Sequence, residues 1–160
     1  MVERLIESCN RHGRPLSTVS EALQAFDLLS VNAELAQKAV TTALNDAGVD
    51  NDEARAIAGR TVHCADFLLR RQDNLAADFV VGNPPYIRLE DVPAARGRAY
   101  RRACPTMSGR SDIFVGFIET GLKFKSPSPT TESFLESRPL RRRFSRFTLV
   151  LGRTVTKQPP

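Results

Sequence analysis

The chain has 160 residues, 41% of them hydrophobic and 26% charged, with a formal net charge of +5. That size and composition fit one folded domain with a sizeable core, and no apolar run reaches the roughly 20 residues of a membrane-spanning helix. Cys9, Cys64 and Cys104 are odd in number and carry no Cys-x-x-Cys spacing, so reduced thiols in a cytoplasm are expected rather than a disulfide framework. No signal peptide is read at the amino end. His63 and Cys64 adjoin, but nothing completes a metal site around them, and they read as part of a strand.

The charge is divided unevenly. Residues 1–95 hold 9 Lys and Arg against 14 Asp and Glu, a net −5, whereas residues 96–160 hold 14 against 4, a net +10. A basic second half suits contact with phosphates, and it follows equally from an Arg-rich tail.

In chain order, Val2, Leu5, Ile6 and Cys9 share one helical face, so residues 1–12 read as an amphipathic helix that Gly13 and Pro15 end. Residues 23–29 are short and mostly apolar, a strand with Asp27 near its carboxyl end. Asn32 is the expected N-cap of a helix whose apolar positions run from Leu35 to Ala47, with Gly48 as the stop. A short helix follows over residues 50–58, then a strand over residues 61–65 with Asp66 and Phe67 directly after it. A polar loop over residues 70–74 leads to the apolar run Phe79, Val80, Val81. Strands alternating with helices predict an α/β fold with a doubly wound sheet.

The run 79–81 stops at Gly82, and Asn83, Pro84, Pro85 and Tyr86 follow at once. Two prolines fix two φ angles and remove two backbone donors, which gives a stiff elbow at the end of a strand. Open α/β sheets place ligands there. Beyond it, Arg88, Arg96, Arg98, Arg101, Arg102 and Arg110 surround Tyr100, a pattern suited to phosphate contact and stacking as well as to a solvated charged face. Asp112 is read as the N-cap of a helix carrying Ile113, Phe114, Phe117, Ile118 and Leu122.

The Asn83-Pro84-Pro85-Tyr86 loop resembles the signature of the amino-group methyltransferases, above all the S-adenosylmethionine-dependent N6-adenine DNA methyltransferases. The resemblance implies a partial Rossmann-like, doubly wound α/β sheet of the class I methyltransferases. It implies that Asn83 and the Pro84 carbonyl accept the two hydrogens of a target amine, with Pro85 stiffening the loop and Tyr86 stacking on a flipped base. It also implies that Asp27 binds the ribose hydroxyls of the cofactor, and that Asp66 and Phe67 hold its adenine. Arg88, Arg96, Arg98, Arg101 and Arg102 would then meet double-stranded DNA. The same loop occurs in methyltransferases of protein glutamine and of RNA, and a non-catalytic remnant or a basic nucleic-acid-binding module is a further alternative.

Two departures from the family pattern stand out. No Gly-x-Gly occurs anywhere, so the glycine-rich loop of the first motif is missing, and a completing chain or domain is expected to supply it. After Lys123 the text turns to Pro, Ser, Thr and Arg. Residues 1–123 are therefore read as part of a methyltransferase catalytic domain incomplete at both ends. Residues 124–160 are read as a disordered or frameshifted tail, with a basic arm for DNA as the alternative.

Overall fold

The computed structural model describes residues 1–70, 77–124 and 149–152. Helix α1 (Val2–Arg11), a 3₁₀ turn (Leu16–Thr18) and α2 (Val19–Ala22) lead into strand β1 (Leu23–Asp27). Then come α3 (Ser30–Asp46), α4 (Asn51–Thr61), β2 (Val62–Cys64) and a 3₁₀ turn (Phe67–Leu69). Strand β3 (Phe79–Gly82), a 3₁₀ turn (Leu89–Asp91), α5 (Ala94–Ala103), α6 (Ile113–Phe124) and β4 (Leu149–Gly152) complete the described elements.

The strands form one sheet in the order β2-β1-β4-β3. β1 and β2 are parallel, with Phe26 opposite His63. β4 lies between β1 and β3 and is antiparallel to both, which leaves β1 and β3 running the same way. The fold is thus mixed α/β with a small parallel pair, and an antiparallel strand replaces part of the expected parallel order. β4 falls within the stretch read as an unstructured tail, and Phe124 of that stretch closes α6. The rest of the tail, and most of the polar loop at 70–74, lies outside the described residues.

Side chains alternate across a strand, so neighbours on β1 enter different cores. Ala25 packs with Ile6, Val40, Leu44 and Ile57 of α1, α3 and α4. Phe26 packs with Phe67, Tyr100, Met107, Ile113 and Phe124. The second core closes tightly on α6. A Cβ on Gly116 would lie 2.4 Å from Met107 Sδ, and one on Gly121 would lie 3.2 Å from Val80 Cγ1. At its outer rim the Glu119 carboxylate accepts from the Thr106 backbone N–H (3.0 Å) and hydroxyl and pairs with Lys123 (2.5 Å). Lys123 also donates to the Ala103 carbonyl (3.0 Å), so α5 and α6 are tied together.

Local chemistry sets the ends of the elements. α3 stops in a Schellman turn, with Val49 N–H on Leu44 O (3.0 Å) and Gly48 N–H on Asn45 O (2.9 Å). That turn requires the left-handed φ of 89° at Gly48. Asp50 caps α4 through the Asp52 N–H (3.0 Å). The expected cap of α3 is corrected: the helix begins at Ser30 with Leu29 as its N-cap residue. Asn32 instead turns its amide to the Asp27 carboxylate (3.2 and 3.3 Å). The strand over 23–29 is also shorter than expected, because Asp27 Oδ1 accepts the Leu29 N–H (2.9 Å) and bends the chain out of the sheet.

Candidate active site

A cleft of about 240 Å³ opens beside the carboxyl ends of β1 and β2, between the 67–69 turn, the loop after β3, and α5 and α6. Phe26, Phe67, Pro85, Ile113 and Phe117 give it apolar walls, and Asp66, Asp91, Arg96 and Tyr100 give it polar groups. Flat apolar walls with a few placed polar groups are the usual make-up of a small-molecule site.

Asp66 leaves β2 with extended backbone, φ −78° and ψ 105°, and caps the next turn by accepting the Leu68 N–H at Oδ1 (3.2 Å). Its other oxygen accepts the Tyr100 hydroxyl (2.8 Å). Burial, and then the hydrogen bond to Asp66, raise the Tyr100 phenol far above its ordinary pKa, so the hydroxyl stays a donor. Tyr100 was not legible as a partner of Asp66. It stands 34 positions away, and its arginine neighbours suggested an outward ring, whereas it is buried.

In the loop after β3, Pro85 and Ile87 line the cleft, whereas Asn83 and Tyr86 are exposed, Tyr86 at 74%. The Tyr86 ring stands 6.1 Å from that of Phe114. All peptide bonds here are trans. The far end of the loop is fastened to the start of α6: Ile113 N–H donates to Ile87 O (2.8 Å) and Leu89 N–H to Ser111 O (3.0 Å). Asp112, at the expected place before α6, bridges to Arg88 through the backbone. Among the described residues, no hydrogen bond forms to the Asn83 side chain, and no backbone N–H outside the strands donates to the Pro84 carbonyl.

The other predicted residues are placed less evenly. Phe67 lines the cleft and stacks on Phe117, with centroids 5.6 Å apart. Asp27 lies beneath the turn at the end of β1, 3% exposed, its carboxylate held by Leu29 and Asn32. Among the described arginines, only Arg96 lines the cleft. Arg98 and Arg102 share one exposed face of α5, and Arg88 is exposed beside the loop. Arg101 is spent within the fold, donating to Met107 O (2.9 Å) and Gly109 O (3.0 Å). Arg110 pairs with Glu90 at 3.6 Å on the surface.

Behind the cleft, the Arg70 guanidinium sits 4.3 Å above the Phe26 ring, which also stacks on His63 at 5.3 Å. Gln24 donates through Nε2 to Ser20 O (2.8 Å) and Arg60 O (2.9 Å), so its oxygen faces His63 Nε2 (2.7 Å). His63 therefore carries its proton on Nε2. Burial, and then the nearby Arg70 charge, lower its pKa, which keeps it neutral. No cluster of three metal-ligating side chains occurs among the described residues. No helix among them is long and apolar enough to cross a membrane.

Comparison with known families matches residues 20–140 to the Eco57I restriction-modification methylases. That span covers all of β1 to α6 and the cleft between them. The chain belongs to the Eco57I restriction-modification methylase family. It is 36% identical over 126 residues to the type II methyltransferase M.PaeR7I of Pseudomonas aeruginosa, covering 76% of this chain and 22% of that protein. It is 32% identical over 131 residues to the type II methyltransferase M.XhoI of Xanthomonas vasicola, covering 79% and 24%. The type II methyltransferase M.BstVI of Geobacillus stearothermophilus is 28% identical over 152 residues, 91% of this chain and 27% of the relative. The chain thus spans about a quarter of the length of the curated relatives it matches. No solved structure matches it.

Proposed function

We propose that this family member is the target-base and cofactor-adenine region of a cytoplasmic, adenine-specific DNA methyltransferase with a Rossmann-like catalytic domain. The observation that carries the reading is the loop after β3. The Asn83 amide, without a hydrogen-bond partner among the described residues, and the Tyr86 ring, 74% exposed, stand beside a cleft walled by aromatic and proline rings and bearing the Asp66 carboxylate.

The donor set of the cleft fits the adenosyl part of S-adenosylmethionine. Phe67 and Pro85 offer flat apolar surfaces to a purine, and Asp66 retains lone pairs to accept a hydrogen bond from an exocyclic amino group. When bound, S-adenosylmethionine supplies a methyl group on a sulfonium, an electrophile with a good leaving group. The chain's own task is to make an aromatic amine nucleophilic. Asn83 Oδ1 and the Pro84 carbonyl each accept one amine hydrogen, holding both out of the ring plane so that the nitrogen lone pair is localised. Tyr86 stacks on the base once it has left the duplex, and the two prolines keep these groups in place without further ordering cost. Arg88, Arg96, Arg98 and Arg102 would bind phosphates of double-stranded DNA, whereas Arg101 is committed to the 107–109 loop.

The test is transfer of labelled methyl from S-adenosylmethionine to duplex DNA, to RNA and to a glutamine-containing peptide. Label in adenine of DNA alone supports the reading, and label in RNA or peptide alone overturns it. Asn83→Ala should abolish transfer, by about a hundredfold or more for the loss of one positioned acceptor, and leave cofactor affinity unchanged. A second reading, a nucleic-acid-binding segment without transfer, is favoured by one observation: Asp27 is buried, with its carboxylate taken by local donors. Salt-sensitive DNA binding with no heat on titration of S-adenosylmethionine would select it.

A further inference from the structure

Helix α5 is rich in arginine, with Arg96, Arg98, Arg101 and Arg102 all exposed. Tyr100, among them, turns inward and is 4% exposed. Its hydroxyl crosses the base of the cleft to Asp66 Oδ2 at 2.8 Å, and the Leu68 N–H holds Oδ1 at 3.2 Å. One donor alone leaves a carboxylate free to pivot. Two donors from different elements, one on each oxygen, fix both its χ angles. A carboxylate has about four acceptor positions, so two remain open after these bonds. No other hydrogen bond to Asp66 from a described side chain occurs, and Phe67 and Pro85 line the same cleft.

We infer that Tyr100 is a positioning residue that aims the open lone pairs of Asp66 into the cleft, and so sets selectivity for a 6-amino purine over a 6-oxo purine. The inference rests on the reading of Asp66 as the acceptor for the cofactor's adenine. An adenine presents N–H at position 6 to the carboxylate. A hypoxanthine presents a carbonyl there, oxygen against oxygen, and is rejected as long as the carboxylate cannot turn away. With Tyr100→Phe the ring still fills its place in the core, but Oδ2 loses its donor and the carboxylate swings about the Leu68 bond. The amino group is then bound less well and the carbonyl is tolerated better.

Calorimetric titration of the chain with S-adenosylhomocysteine and with S-inosylhomocysteine reads this selectivity directly. The unsubstituted chain should prefer the adenine form by about thirtyfold, and Tyr100→Phe should reduce the preference to about threefold, in line with one charge-assisted hydrogen bond. In an Asp66→Ala background the Tyr100→Phe change should leave the ratio of the two affinities unaltered, since no carboxylate remains to aim. Equal weakening of both ligands in Tyr100→Phe, with the preference intact, would mean that Tyr100 only packs the core and would overturn the inference. Failure of the unsubstituted chain to bind either ligand would overturn the reading of Asp66 and the inference with it. A chain that binds both forms equally would retain a nucleoside site but refute the assigned contact.

Discussion

Two strands of the sheet treat similar sequences in opposite ways. β1 (Leu-Gln-Ala-Phe-Asp) and β3 (Phe-Val-Val-Gly) are both short apolar runs, yet Ala25 and Phe26 of β1 are at most 5% exposed while Phe79 and Val81 of β3 are 50% and 44% exposed. β1 is covered on both faces, by α3 and α4 on one and by the aromatic core on the other. Among the described residues, β3 packs through Val80 against Gly121 of α6. The closed half holds the sheet together. The open half leaves Asn83 and Tyr86 of its loop exposed beside the cleft.

Substitutions in the two halves should differ accordingly. The largest effect belongs to the closed half: Leu44→Ala, at a fully buried site, should cost about 3 kcal/mol of stability by thermal or denaturant unfolding. Gly116→Ala should cost about 2 kcal/mol, because its methyl would meet Met107 Sδ at 2.4 Å in a core where Met107 is 1% exposed. Combined with Met107→Ala, it should cost less than the sum of the two single changes, which a double-variant cycle checks.

A smaller effect is set by pH. The folded pKa of His63 lies below its unfolded value of 6.5, so the unfolded chain binds the proton more tightly. Stability is then full above about pH 6.5 and falls as pH drops below it toward the folded pKa. His63→Gln should flatten that part of a melting-temperature profile. A separate loss at lower pH is expected from Glu119. Partial burial raises its pKa, but the hydrogen bonds from Lys123 and Thr106 outweigh that and hold it below its ordinary value of 4.5. The smallest effect is expected on β3, where Val81→Thr at a half-exposed position should change stability by no more than about 0.5 kcal/mol.

Much of the closed half was legible from period and punctuation. The stripe from Leu35 to Ala47 and the stop at Gly48 located α3 to within two residues of its observed carboxyl end, and Asp50 marked the start of α4. The misplaced amino end of α3 has a local cause: the Asp27 carboxylate competes for Asn32 and for the Leu29 N–H, and spacing alone does not rank that bond above a helix cap. In the open half, the Asn-Pro-Pro-Tyr elbow was legible because proline fixes its own backbone. What was not legible depends on distant pairing. Tyr100 on Asp66, Arg101 on the 107–109 loop, and β4 between β1 and β3 all join residues that no helical or strand period connects.

The most direct measurement is a calorimetric titration of S-adenosylmethionine into the chain and into its Asp66→Ala variant, with folding of both checked by circular dichroism. Saturable binding to the chain is expected, weakened at least tenfold by Asp66→Ala, as loss of a charged acceptor in a partly buried cleft requires. Binding that Asp66→Ala leaves unchanged, or no binding to a folded chain, would contradict the assignment of the cleft.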